Sequence, residues 1–161
     1  MTAEGNLWNH KTNQFEKVLF FFDTGAQKSL IRESTADDFG LVSQQTEHCT
    51  MSGIGGHTER FKSNLVTLRV STAFGKQIDL TVRTKPIITN GFSSVRLSEE
   101  DKQFLQFKEM FVCNPRVRGE FQNPHILIGL DYYYELCLDR AYTEKVRSQH
   151  SPQMKVLQCM G

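Results

Sequence analysis

Long apolar runs are missing from this sequence. No stretch approaches the length needed to span a bilayer and the N-terminus has no signal-peptide pattern, so we expect no membrane partner. An excess of one charge is missing too. The 19 Lys and Arg stand against 18 Asp and Glu, for a formal net charge of +1, which gives no global attraction to nucleic acid. Cysteine is sparse: Cys49, Cys113, Cys137 and Cys159 lie far apart, and no C-x-x-C pair occurs. Neither they nor the scattered histidines (His10, His48, His57, His125, His150) have zinc spacing. We expect no metal, no cofactor, and reduced thiols in a cytoplasmic setting. The G-x-x-x-x-G-K and G-x-G-x-x-G phosphate-binding patterns are absent, as are internal repeats and low-complexity tracts.

What is present is enough for one folded domain. The chain has 161 residues, 39% hydrophobic and 23% charged, a balance that excludes a disordered chain and leaves length for a core. Its most informative stretch is Val18-Leu19-Phe20-Phe21-Phe22-Asp23-Thr24-Gly25-Ala26. The apolar run predicts a strand buried on both faces. A carboxylate at its end, beside buried apolar surface, costs several kcal/mol unless it is paired or hydrogen-bonded, which marks Asp23 as a candidate functional group. An Asp in a turn after a strand also commonly caps local backbone. Thr24 can donate and accept, and Gly25 permits a sharp turn and close approach.

The flanking segments read as follows. Trp8 and Phe15 anchor an otherwise polar N-terminal segment with a turn over Asn9–Asn13, which fits an outer strand leading into Val18–Phe22. Ser34–Phe39 reads as one or two helical turns stopped at Gly40, and Leu41-Val42 opens another extended region. Gly53, Ile54, Gly55 and Gly56 form a glycine-rich hairpin tip, either a simple flexible tip or a mobile flap able to meet a peptide backbone. Val66, Leu68 and Val70, then Ile78, Leu80 and Val82, alternate with polar residues and predict an antiparallel hairpin ending near Pro86, with Ile87-Ile88 available for further pairing. Asn90-Gly91 marks a turn. Ser98 to Asp101 has capping-box spacing, and Phe104, Leu105, Phe107, Met110 and Phe111 predict an amphipathic helix from about Ser98 to Phe111 whose Phe stripe joins the core. Pro115, Gly119 and Pro124 predict a loop. Ile126-Leu127-Ile128 predicts a second buried strand broken by Gly129, with Asp131 capping a helix over Tyr132–Leu138. Beyond Arg140 only Val156-Leu157 suggests a strand fragment.

Asp23-Thr24-Gly25-Ala26 after a hydrophobic strand, a glycine-rich tip, and a strand ending Ile126-Leu127-Ile128-Gly129 stand in the order that resembles retropepsin-like aspartic proteases. Asp-Thr-Gly-Ala-Gln, the helical segment near 90–115 and Leu127-Ile128-Gly129-Leu130-Asp131-Tyr132-Tyr133 are most similar to the aspartic peptidase domain of Bel/Pao-type retrotransposon polyproteins. The resemblance implies a mainly β, single-lobe acid-protease barrel over residues 1–138, with a short helix after the catalytic loop, an inserted helix near 98–111 and a helix after 131. Residues 139–161 would form an extension, ordered in part or placed in a dimer interface. The resemblance also implies that Asp23 is catalytic and that Thr24, Gly25 and Ala26 support it. Gly53, Ile54, Gly55 and Gly56 would be the substrate-binding flap, and Ile128, Gly129 and Asp131 would brace the site.

Peptide hydrolysis by this route needs two carboxylates sharing a proton, and the chain has a single Asp-Thr-Gly. The expectation is therefore a homodimer acting on a peptide or polyprotein substrate. The alternatives are an inactive, domesticated form of the fold serving as a dimerisation or peptide-binding module, and an unrelated small β-rich binding domain.

Overall fold

Strands form where apolar residues run together or alternate. The computed structural model describes residues 1–53, 55–71, 75–108, 114 and 118–136. Strand β1 (Thr2–Asn9) turns back into β2 (Gln14–Phe22). The turn is built on Asn9, whose Oδ1 accepts from Lys11 N–H at 2.8 Å and Thr12 N–H at 3.3 Å, while Asn13 takes the left-handed φ of 55° that Asn tolerates. After β3 (Leu30–Arg32), α1 (Glu33–Asp38) ends at Gly40, φ 65°, where a left-handed residue closes the helix. Next come β4 (Gln45–Ser52), β5 (Thr58–Ser71) and β6 (Gln77–Lys85). The segment up to β9 (Ile126–Ile128) holds β7 (Phe92–Ser93), α2 (Glu99–Phe107) and β8 (Phe121–Gln122). A helix over 130–136, α3, follows.

The main sheet has the order β1-β2-β9-β3-β6-β5-β4. Strand β1 also pairs β5 through Asn6↔Ser71 and Leu7↔Val70, so the sheet curls onto itself as a barrel and β4 projects beyond it, paired along β5. The predicted β5–β6 hairpin has Val66 opposite Val82, Leu68 opposite Leu80 and Val70 opposite Ile78. All six belong to the barrel core or pack against it, together with Leu7, Phe20, Ile31, Ile126 and Ile128. Fully burying each such side chain stabilises the fold by roughly 1.5–3 kcal/mol. Strands β2 and β9 run parallel, with Phe20↔Ile126, Phe21↔Leu127 and Phe22↔Ile128 in register. Even-numbered positions of β2 face the barrel core, and Leu19 and Phe21 face the other side.

Several expectations change. Helix α2 starts at the predicted capping box, with Ser98 Oγ accepting from Asp101 N–H and Asp101 accepting from Ser98. Its Phe stripe does not join the core: no residue of α2 is buried, and Phe104 and Phe107 are 57% and 80% exposed. Helical spacing identifies an apolar face but not what covers it. Here the Lys108 ammonium lies 5.8 Å and 5.5 Å from the two ring centroids. Ile87 and Ile88 add no pairing beyond β6, and the loop expected after 115 contains β8. Strand β5 begins at Thr58, eight residues ahead of Val66, where cross-strand pairing with β4 carries a largely polar sequence. The helix expected over Tyr132–Leu138 begins at 130, so Asp131 lies in its first turn rather than at the cap. Ile54, Met110, Phe111, Cys113, Cys137, Leu138 and the 139–161 extension lie outside the described residues.

Candidate active site

Parallel pairing with β9 places Asp23 in the middle of the sheet rather than at its edge. Its N–H continues the ladder by donating to the Ile128 carbonyl at 3.0 Å. His125 holds the strands together just upstream: its Nδ1 accepts from Leu19 N–H at 3.0 Å and its own backbone N–H donates to the Leu19 carbonyl at 2.9 Å. The chain then turns. Asp23 Oδ1 accepts from Gly25 N–H at 2.9 Å, and the Asp23 carbonyl accepts from Ala26 N–H at 3.2 Å. One carboxylate oxygen thus caps the local backbone. The other, Oδ2, has no partner among the described residues, and Asp23 is partly exposed. Thr24 and Gly25 are exposed.

The loop is braced from the far end of the chain. Leu130 N–H donates to the Ala26 carbonyl at 2.9 Å. Gly129 sits so close that a Cβ there would lie 2.7 Å from Lys28 C and 2.8 Å from the Ala26 carbonyl oxygen. Ser29, 2% exposed, links the two segments. Its hydroxyl donates to Asp131 Oδ1 at 2.6 Å and accepts from Gly129 N–H at 2.9 Å, while its backbone N–H donates to Asp131 Oδ2 at 3.1 Å. The Asp131 carboxylate therefore faces the Asp23 loop instead of capping α3, whose first turn uses the Gly129 carbonyl, accepting from Tyr132 and Tyr133.

The structure thus brings Asp23, Thr24, Gly25 and Ala26 together with Ile128, Gly129 and Asp131. Gly53, Gly55 and Gly56 are carried separately, at the tip of the β4–β5 hairpin. Gly53 N–H donates to the His57 carbonyl at 2.8 Å, and Gly55 and Gly56 take φ of 87° and 77° with open space where a Cβ would stand. Ion pairs of Arg83 with Glu47 at 2.6 Å and Lys85 with Glu59 at 2.8 Å tie the hairpin to β6. Sequence reasoning missed Ser29 and His125, which act through partners about a hundred residues away and carry no local signal. Phe92 was missed as well: its ring packs against Phe21, centroids 5.4 Å apart. Among the described residues no group of three or more His, Cys, Asp or Glu could hold a metal ion, and no helix is long and apolar enough to cross a membrane.

A curled seven-stranded sheet with an Asp-Thr-Gly loop at its centre and a long hairpin projecting from it defines a single-lobe, retropepsin-like fold. The family model described as aspartyl protease matches residues 9–108, well over half of the chain, spanning the Asp23 loop and the glycine-rich hairpin. The chain belongs to the aspartyl protease family. No curated protein and no solved structure matches it.

Proposed function

We propose that the protein is an aspartic endopeptidase active as a homodimer, in which Asp23 of each copy supplies half of the catalytic pair. One observation carries the reading. Asp23 stands at the exposed end of a central strand with one carboxylate oxygen free among the described residues, and the exposed Thr24-Gly25 turn beside it leaves room for a second loop. A twofold axis through these loops would supply the missing acid from the same residue. Two carboxyls a few ångströms apart cannot both ionise easily, so one holds a proton. The ionised member takes a proton from water as the water oxygen attacks the scissile carbonyl carbon, and the protonated member gives its proton to the carbonyl oxygen. Collapse of the tetrahedral intermediate breaks the C–N bond, and a proton passes to the leaving nitrogen. The β4–β5 hairpin would close over an extended substrate through backbone hydrogen bonds. The sequence similarity favours a retrotransposon-type polyprotein as substrate.

The test is cleavage of a mixed peptide library by wild type and Asp23→Asn. The amide is nearly isosteric, so cleavage should vanish while the fold is retained, with an acidic to near-neutral optimum in the wild type. Full activity in Asp23→Asn would overturn the assignment. Peptide binding without cleavage by the wild type would point instead to a non-catalytic peptide-binding module.

A further inference from the structure

Helix α2 has a well-made start and no packing to match it. It runs for nine residues behind a complete capping box, yet none of its residues is buried. Isolated helices shorter than about 12–15 residues are marginal in water, and helices in proteins draw most of their stability from packing an apolar face. Single exposed apolar residues are ordinary on any surface. Here they are concentrated: of the nine large apolar side chains exposed among the described residues, Ile87, Val95, Phe104, Phe107 and Phe121 lie in the segment between β6 and β9. A concentration of that kind marks a contact surface.

The exposed face of α2 has a definite order. Successive helical residues turn by about 100°, so Glu100, Phe104, Phe107 and Lys108 fall within one stripe. The Lys108 ammonium lies over both rings, which places it on that stripe. An acid therefore stands at one end, a base at the other, and two aromatic rings between them. Glu100 and Lys108 are both exposed, and Glu100 makes no ion pair among the described residues. Eight residues of helix separate them by about 12 Å, too far for the two to meet within one chain. Turned end for end, the stripe is its own complement.

We propose that α2 is an interaction surface for a second copy of this chain, the two helices packing antiparallel about a twofold axis. Glu100 then meets the partner's Lys108, and symmetry makes this contact twice. Phe104 lies near the axis with Phe107 beside it, so the rings gain the cover they lack in one copy. The antiparallel arrangement also sets helix ends of opposite partial charge side by side. No residue of the Asp23 loop takes part, so the inference does not rest on the catalytic reading.

The test uses the full chain at low ionic strength, where charge contacts are least screened. Sedimentation velocity is run on wild type, Glu100→Lys, Lys108→Glu, their equimolar mixture, and Phe104→Ser. Each single variant should associate with itself at least tenfold more weakly than wild type. The mixture should regain association, because its mixed pairs oppose Lys to Glu at both contacts. Damage to the helix alone would weaken the single variants but would not be repaired by mixing. In a second experiment, ¹⁵N-labelled and unlabelled wild type are mixed and treated with a zero-length carbodiimide. A peptide joining Glu100 of one label to Lys108 of the other is expected. Association at wild-type strength in all three variants would show that copies meet through another surface and would overturn the proposal. So would a mixture no stronger than its components, or the absence of the mixed-label peptide.

Discussion

Gly129 has no room for a side chain, although its backbone is not in the left-handed region. A Cβ would stand 2.7–2.8 Å from backbone atoms of Lys28 and Ala26, which cannot swing aside as a side chain could. Gly129→Ala should therefore cost on the order of 3 kcal/mol, read as a lowered denaturation midpoint at unchanged slope. Gly53→Ala, whose nearest neighbour would be the His57 carbonyl oxygen at 3.9 Å, should leave the midpoint nearly unmoved. Ser29 bears on the same contact. Replacing it with Ala leaves the buried Gly129 N–H unpartnered and removes the hydroxyl from Asp131, which should cost about 1–3 kcal/mol. Asp131→Asn keeps one acceptor for the Ser29 hydroxyl but sets an NH2 group against the Ser29 N–H that Oδ2 accepts from, so it should cost a similar amount. If Asp131→Asn left the midpoint unmoved while Ser29→Ala lowered it, the two Asp131 acceptors would matter less to this contact than the partner of the buried Gly129 N–H does.

At the scale of elements, the residues that bury themselves were legible and those that depend on distant partners were not. The Val66–Val70 and Ile78–Val82 alternation set the β5–β6 hairpin, because one face had to be buried. The Phe20 and Ile126 runs predicted strands, but only the fold pairs them in parallel. Ser29 and Phe92 look like ordinary loop residues until Asp131 and Phe21 arrive beside them. Helix α2 shows the converse: its cap was readable because it is local, whereas its Phe104 and Phe107 face was misplaced because burial is not local. The cap makes its own prediction. Hydrogen bonding from the Ser98 side chain, then from the Ser98 backbone, holds the Asp101 carboxyl below its ordinary 3.8. A carboxyl depressed in the folded chain stabilises it above the ordinary value, and that contribution is lost as pH falls through the lower, folded pKa. Glu120 behaves alike: backbone N–H groups, chiefly its own and that of Arg118, hold it below 4.5. The amide resonances of Ser98 and Asp101 should titrate together with a midpoint under 3.8, and that midpoint should rise in Ser98→Ala. A midpoint at or above the ordinary value in the wild type would contradict the cap.

For the whole molecule, the decisive question is how many copies of Asp23 a working site contains. A chain with one Asp-Thr-Gly loop can be half of a site, or it can act alone with help from another acid. Mixing separates these without any structure of the assembly. If copies exchange freely and a dimer with one Asp23→Asn member is dead, the probability that a wild-type chain finds a competent mate equals the wild-type mole fraction. Activity per wild-type chain should then fall to about half in an equal mixture and to about a tenth at a ninefold excess of the variant. Dilution should give a complementary result, with specific activity falling as dimers dissociate and recovering when the protein is concentrated. Activity per wild-type chain that stays constant in both experiments would mean that a single Asp23 suffices. The second acid would then have to be sought within the same copy.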